Sequence, residues 1–479
     1  MKKLALTLLA MSLLAGCTVG PNYQRPPITS PEQVRGQIGP VEPSSLADRS
    51  WWDLFQDDVL KSLIGEALQN GFDVRLAAWR VEEAKADAGI ARSEYFPQIQ
   101  AGAGVSRSRA SEVSVPGSAP INLGEVNLGL SWEVDLWGRI RRLNESARAE
   151  YLASEEARRG VLLSLTSEVA TTYFQLRALD LQLEIAHRTA EAFQGTYDLF
   201  NRRLEGGLAS ALETSSAESS LAATSATIPN LERQIVEQEN RLAFLLGQNP
   251  GPIARGETLN DQLLPPEVPP GLPSDLLQRR PDLLEAEQRL VAANANVGVT
   301  VANFFPTLSL TGAFGGVATQ VSDLFGRGKV WSVGGSLLSP VFHGRRLKNE
   351  HHAAIAEWEQ AKVQYERSVT NAFSEVSTAL VAYQKLVDVE KEQARAVAAE
   401  TEAVRLSNER YRAGLADYLE VLDAQQKLFP AENFLAQTRF ERLSSLIQLY
   451  KALGGGWSLS DQQWSGPEKQ AASLRLSRP

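Results

Sequence analysis

The sequence is poor in the groups on which most chemistry and cross-linking depend. Its 479 residues include one cysteine, Cys17, so no disulfide forms within the chain and no cysteine-rich metal site can be built. The four histidines are scattered (His187, His343, His351, His352). The adjacent pair, His351-His352, points to different faces of a helix and need not share a metal. No HExxH, phosphate-loop, GxSxG or dinucleotide pattern occurs, so no enzyme machinery is recognisable. Basic excess is also missing: a net charge of −9 argues against a nucleic-acid partner. Helix breakers are absent over long stretches. Arg346 to Ala413 contains neither Gly nor Pro, and Arg139 to Glu205 contains Gly160 and Gly195 but no Pro.

What is there begins with "MKKLALTLLAMSLLAGC". Lys2 and Lys3 precede an apolar run of about a dozen residues, too short to span a bilayer as a helix and typical of a secretory signal. Residues 1–16 are therefore set aside as signal peptide. Leu14-Ala15-Gly16-Cys17 resembles the bacterial lipobox, in which the cysteine receives N-acyl and S-diacylglycerol chains and becomes the mature N-terminus. Each buried CH₂ of such a chain holds the protein to a membrane by about 0.8 kcal/mol. Residue 18 is Thr, not Asp; by resemblance to sorted lipoproteins, that favours the outer membrane.

The rest is written twice. "FDVRLAAWRVEEAKADAGIARSEYFPQIQAGAGV" lies over "PDLLEAEQRLVAANANVGVTVANFFPTLSLTGAFGG". Asp73 falls on Asp282, Arg80 on Arg289, Gly89 on Gly298 and Tyr95-Phe96-Pro97 on Phe304-Phe305-Pro306. Downstream, Phe200–Ser210 matches Ser407–Asp417, and Leu246-Gly247 matches Leu453-Gly454. A repeat this long defines the architecture. The division is a lipid-anchored segment 17–57, repeat one 58–250, a linker 251–273, repeat two 274–454 and a tail 455–479.

Each repeat opens with a helical stretch (residues ~58–94 and ~274–303) that stops at Phe96-Pro97 or Phe305-Pro306, because the residue before proline is pushed out of the helical region. A β-hairpin follows, at about 97–136 and 306–342. Val126, Leu128, Leu130, Trp132, Val134 and Leu136 alternate with Asn127, Gly129, Ser131, Glu133 and Asp135. Period two with one apolar face is a strand signature. Ile99, Ala101, Ala103 and Val105 supply the partner strand; Leu308, Leu310, Gly312 and Phe314 pair with Trp331, Val333, Gly335 and Leu337. Strands of about ten to twelve residues suit a tilted membrane crossing.

A very long helix comes next (138–205 and 344–413). About 68 residues at 1.5 Å each reach roughly 100 Å. Trp358, Tyr365, Ala372, Ala379 and Leu386 form one seven-residue row and Val369, Val376 and Tyr383 another, the seam of a coiled coil. A turn and a return helix (209–246 and 416–453) close each repeat, with Pro229 expected to kink the first. The periodicity alone also fits a helical bundle.

Four strands per chain cannot close a sheet with a lipid-grade face, and open edges are not tolerated in hydrocarbon. Two chains would give eight strands and three would give twelve; twelve leave room for an aqueous lumen. The small and polar inner faces (Asn127, Gly129, Ser131, Ser309, Thr311) favour three.

Several motifs then carry a resemblance covering nearly all of the mature chain. They are the lipobox, "PNYQRP" (Pro21–Pro26), Trp51-Trp52, "EVDLWGRIRR" (Glu133–Arg142), "RRPDLLEAEQRL" (Arg279–Leu290), "FFPTLSL" (Phe304–Leu310), "RYRAGLADYLEVLDAQ" (Arg410–Gln425) and "LYKALGGGW" (Leu449–Trp457). Together they resemble the TolC-like outer-membrane factor family, in particular the lipoprotein exit ducts (NodT subgroup) of resistance–nodulation–division multidrug pumps. The resemblance implies an α+β membrane protein: a homotrimer whose twelve-stranded β-barrel in the outer membrane continues into a long periplasmic α-helical coiled-coil barrel, with a mixed equatorial collar around the tunnel's middle and the C-terminal tail near it. Its implied partners are a periplasmic adaptor, an inner-membrane RND pump and outer-membrane lipid. It implies no enzyme and no cofactor beyond the lipid on Cys17.

A duct needs a pore that stays shut until engaged. The resemblance places the gate at the periplasmic tip and matches Tyr411, Arg412, Leu419, Glu420 and Asp423 to it, with Glu213 in the first repeat. Glu420 and Asp423 share a helix face, and three copies put six carboxylates round one axis, which favours cations. Ser210-Ala211-Leu212-Glu213 also reads as a capping box, and Asp417 to Glu420 reads as its copy. Capping and gating therefore stay open for Glu213 and Glu420, whereas Asp423 lies beyond capping reach. Arg410 and Arg412 are candidates for ties between helices. Some family members carry a basic residue where Gln426 stands, so whether a salt bridge locks the gate at this point stays open. The turns Gly206-Gly207-Leu208 and Gly414-Leu415 match adaptor-docking positions, although glycine there also simply permits a left-handed turn. Two readings compete with the duct: a membrane-anchored coiled-coil scaffold and an autonomous porin.

Overall fold

The computed structural model describes residues 18–37, 45–262, 269, 271 and 273–456. The signal peptide, Cys17, residues 38–44, residues 263–268, 270 and 272 of the 251–273 linker, and the tail beyond 456 lie outside the described residues.

Two compact bodies can be distinguished. The first comprises residues up to Pro27, Arg80–Glu155 and Glu285–Glu366; the second comprises Ile28–Trp79, Glu156–Leu284 and the chain from Arg367 on. The labelled elements are α1 (Asp58–Asn70), α2 (Phe72–Ser93), β1 (Gln98–Ser108), β2 (Ile121–Val134), α3 (Arg139–Glu205), α4 (Ala211–Ser225), α5 (Thr227–Leu245), α6 (Pro281–Ala302), β3 (Thr307–Ala318), β4 (Lys329–Leu338), α7 (Arg346–Arg412) and α8 (Tyr418–Ala452). Helices α3 and α7 are each 67 residues long, roughly 100 Å at the α-helical rise.

The first body holds a four-stranded antiparallel sheet in the order β1-β2-β3-β4. Its register lines up like with like. Ile99 faces Leu130, Leu130 faces Gly312 and Gly312 faces Val333; one step along, Ala101, Leu128, Phe314 and Trp331 form the next row. The alternate rows are polar or small, as in Gln98–Ser131–Thr311–Gly334. The apolar alternation in each strand therefore adds up to one continuous apolar face. That face is not covered: Ile99, Leu128, Phe314, Trp331 and Val333 are all exposed. Strands β1 and β4 each pair on one side only, so both edges of the sheet are bare.

Where the strands meet the helices, aromatic groups tie the corners. The Trp137 indole N–H donates to the Pro306 carbonyl at 2.8 Å and its ring stacks on Phe305 with centroids 4.7 Å apart. The Trp132 indole donates to the Tyr95 carbonyl at 3.1 Å. The segment after Cys17 is strapped to the same body. The Val19 amide donates to the Trp137 carbonyl at 3.0 Å, and the buried Arg142 reaches Asn22 at 2.7 Å. Arg25 grips Glu287 through both carboxylate oxygens, with Tyr23 as a third donor at 3.1 Å. The "PNYQRP" run is thus a clasp whose planar guanidinium matches a carboxylate.

The second body contains the larger apolar core, in which Trp51, Leu60, Ile64, Val169, Tyr173, Phe174, Leu242, Val376 and Tyr450 are packed. At its centre the buried Asp57 caps α1 by accepting from the Leu60 amide. It also accepts from the Tyr173 hydroxyl at 2.8 Å, the Glu257 amide at 3.0 Å and Gln262 at 3.1 Å. A buried carboxylate persists because it is saturated with donors. Burial, followed by this contact, pushes the Tyr173 hydroxyl well above its usual range. The heptad rows of α7 bury Tyr365, Val369, Ala372, Val376, Ala379 and Tyr383, as seam positions should.

Three stretches differ from the sequence reading. Residues 58–94 are two helices separated at Gly71, and the second repeat's counterpart begins with a 3-10 turn, Pro273–Asp275, and a four-residue helix, Leu276–Arg279, before α6. The first return stretch is also two helices, α4 and α5, meeting at Ala226. Pro229 sits in the first turn of α5, where its missing N–H costs nothing but its ring opposes the carbonyl four residues back. The second return helix, α8, runs unbroken for 35 residues despite Pro430 within it.

Candidate functional site

Both long helices end the same way. Gly207 and Gly414 have φ of +71° and +70°, a conformation that side-chain-bearing residues rarely adopt. The following amides reach back to close the helix: Leu208 to the Arg203 carbonyl at 2.7 Å and Leu415 to the Arg410 carbonyl at 2.9 Å. This pattern satisfies carbonyls that a helix end would otherwise leave bare. It presents a leucine outward at each turn, Leu208 80% and Leu415 70% exposed.

Above the turns lies a small aromatic core of Phe193, Phe200, Tyr418, Val421 and Leu422, with Tyr411 partly buried against it. Tyr418 is edge-on to Phe200 (centroids 4.9 Å) and to Tyr411 (5.0 Å), and its hydroxyl bonds to Thr196. Burial raises the pKa of Tyr418. Helix α3 is thereby fastened to the tip of the second repeat.

The duplicated charges are wired differently. In the first turn, Ser210 and Glu213 form the full capping box: the Ser210 amide donates to Glu213 at 2.7 Å and the Glu213 amide to the Ser210 hydroxyl at 3.3 Å. The Ser210 amide, then its hydroxyl, holds the Glu213 carboxyl below its usual range. In the second turn the expected copy is absent. Asp417 is the N-cap of α8 but its side chain makes no capping bond. A serine hydroxyl both accepts from the N3 amide and donates to the N3 carboxylate; Asp417 offers a second negative charge instead. Glu420 turns to Arg410, at 3.2 Å.

The equivalent of Arg410 in the first repeat, Arg203, has no free glutamate to meet. It donates to the Tyr411 hydroxyl, and its guanidinium carbon lies 5.7 Å from the centroid of that ring. Asp423 is exposed and pairs with Lys427 at 2.5 Å, one turn along the same helix; this contact raises the pKa of Lys427. Gln426 donates to Ser220 at 2.8 Å, a neutral link between α8 and α4. Leu419 is exposed on the same turn as Glu420, and Arg412 is exposed with no ion pair among the described residues.

The structure thus brings Tyr411, Glu420 and the two leucine turns to one tip and spends Glu213 on its cap. The Arg203–Tyr411 and Thr196–Tyr418 links join residues far apart in sequence, so spacing could not reveal them. The Asp423–Lys427 pair was visible as an i, i+4 spacing. Among the described residues no cluster of ligands suited to a metal occurs.

A family model described as outer membrane efflux protein matches residues 63–248 and 272–455, most of both repeats. The chain belongs to the outer membrane efflux protein family. It is similar to the probable efflux pump outer membrane protein TtgC of Pseudomonas putida, 35% identical over 474 residues with 96% of each chain covered. It is also similar to the probable outer membrane lipoprotein SilC of Salmonella typhimurium, 32% identical over 456 residues, covering 94% of this chain and 98% of that one. The solved outer-membrane channel OprN superposes with a TM-score of 0.85 at 31% identity, covering 92% of this chain and 100% of that chain. As an outer membrane efflux protein, the chain acts in the outer membrane as a transport duct.

Proposed function

We propose that three copies of this chain close their sheets into one twelve-stranded barrel and line up their long helices as a periplasmic conduit, shut at the tip. The observation that carries this reading is the sheet: four strands, two bare edges and a continuous uncovered apolar face. In hydrocarbon such a sheet needs neighbours, and sister chains supply them with β1 meeting β4. The face of Gln98, Ser131, Thr311 and Ser332 then lines water, and the face of Ile99, Leu128, Phe314 and Val333 meets lipid. A coiled-coil scaffold has no use for a sheet of this kind.

The gate residues are Tyr411, Leu419, Glu420 and Asp423, with Arg410 and Arg203 as their ties and Arg412, without an ion pair among the described residues, as a further cation there. The leucine turns, Gly206-Gly207-Leu208 and Gly414-Leu415, receive a periplasmic adaptor that joins the duct to an inner-membrane pump. Cys17 carries the lipid, in keeping with the lipoprotein name of SilC. The names of relatives span organic-compound and cation efflux, so the cargo is set by what the pump delivers.

Planar-bilayer recording of the purified chain tests the duct: small closed-state conductance is expected, raised by Asp423→Ala or Glu420→Ala. No conductance from wild type or either variant would favour the scaffold. Drug resistance that survives loss of the adaptor would mean an autonomous porin. Palmitate labelling lost in Cys17→Ser checks the anchor.

A further inference from the structure

The two hairpin loops at the end of the sheet away from the helices are built differently. The β1–β2 loop (residues 109–120) pairs its only cation with its only acid, Arg109 with Glu112. The β3–β4 loop (residues 319–328) instead folds back onto the sheet. Leu324 is buried there, seated over a notch made by two glycines. A Cβ on Gly316 would meet the Leu324 carbonyl oxygen at 1.9 Å, and one on Gly124 would touch both Leu324 methyls at 3.9 Å. Gly316 and Gly124 continue the rows of Phe314 and Val126, so the loop lies on the apolar face. Its fold is held by the Gly326 and Gly328 amides, which donate to the Asp323 carbonyl at 3.0 and 2.8 Å, and by the Val317 amide to the Gly328 carbonyl at 2.8 Å.

With Leu324 docked, the loop's other apolar groups point away from the protein: Val321 is 81% and Phe325 69% exposed. Trp331, the third residue of β4, is exposed on the same apolar face. Next to this cluster are Arg327 and Lys329, both exposed and neither in an ion pair among the described residues. One acid, Asp323, accompanies the two cations. Exposed apolar groups followed at once by unpaired cations fit the boundary between acyl chains and anionic headgroups.

We propose that the β3–β4 loop is a lipid-binding element of the outer leaflet: Val321 and Phe325 enter the acyl layer while Arg327 and Lys329 hold the phosphates of an anionic glycolipid of the lipid A type. The proposal rests on the barrel reading, which sets the apolar face against lipid and the hairpin loops at the outer surface.

The test reconstitutes the full chain and measures retained lipid, using lipid A and neutral phosphatidylcholine as probes. Replacing Arg327 and Lys329 together by Gln is expected to lower lipid A retention by about fivefold for each charge lost, leaving phosphatidylcholine unchanged. The Val321→Ser/Phe325→Ser pair is expected to lower both, and Arg109→Gln neither. Wild-type lipid A retention by both loop variants overturns the proposal, as does an equal loss from Arg109→Gln. Lipid A retention unchanged with a reduced trimer yield makes the loop a subunit contact and also overturns it. Wild-type protein that neither inserts nor conducts overturns the barrel reading itself, and the loop proposal with it.

Discussion

A single serine-to-aspartate difference between the two repeats, Ser210 against Asp417, reroutes the charges of the tip. Where serine closes a capping box, Glu213 is spent and Arg203 is left to bind Tyr411; where aspartate stands, Glu420 is free and binds Arg410. Replacing Asp417 with Ser should rebuild the box, releasing Arg410 while firming the start of α8 by about 0.5–2 kcal/mol. Basal conductance should rise while thermal stability is kept; unchanged conductance would remove the Arg410–Glu420 pair from the gate. The first turn also has a pH response. Glu213 is held below its usual range, so its contribution is complete above the unfolded carboxyl pKa of about 4.3 and is lost as pH falls through the lower folded value. Hydrogen exchange at the Ser210 amide should therefore show protection at neutral pH that falls away only in acid. For Glu213→Ala, which removes the acceptor of that amide, the protection should be absent at every pH.

At the scale of elements, the strands were the most legible part. Val126, Leu128, Leu130 and Trp132 alternate so cleanly that their shared face followed from period two alone, and the register adds only which rows meet. The faces make a paired prediction. On the proposed barrel, Val333→Arg places a charge on the lipid side, at a cost of about 2–4 kcal/mol near the bilayer midplane, and should block insertion. Ser332→Arg, its neighbour on the other face, should insert and shift ion selectivity. Liposome flotation with bilayer recording separates the two.

Helix interruptions were less legible. Pro229 signalled a break, but Pro430 signals the same and α8 continues through it, because side-chain packing along a long helix can outweigh one lost backbone bond. The turns were legible as glycines, and their energetics are local. A Cβ at Gly414 meets nothing within 4 Å, so Gly414→Ala should cost only the left-handed backbone, about 1 kcal/mol. If the tip docks an adaptor through this turn, the variant should weaken adaptor binding measured by calorimetry while leaving the barrel intact. Unchanged affinity would confine Gly414 to a turn-forming role.

For the whole molecule, the two long helices could be read from spacing. The couplings across distance could not, because Asp57 with Gln262, Arg25 with Glu287 and Arg203 with Tyr411 meet only once the chain is folded. Size-exclusion chromatography with light scattering should give three chains per particle in mild detergent. A stable single-chain particle would sink the closed-barrel reading.

The bare rims of the sheet have a kinetic corollary. A lone chain is an unfinished product that any passing strand can poison, so its safest course is rapid encounter with siblings. Under the proposed trimer, with assembly third order in free chains, early duct formation scales with the cube of nascent-chain abundance, and halving synthesis cuts it about eightfold by mass action. Expression level would then act as a switch on exporter number, steeper than any transcriptional change that drives it.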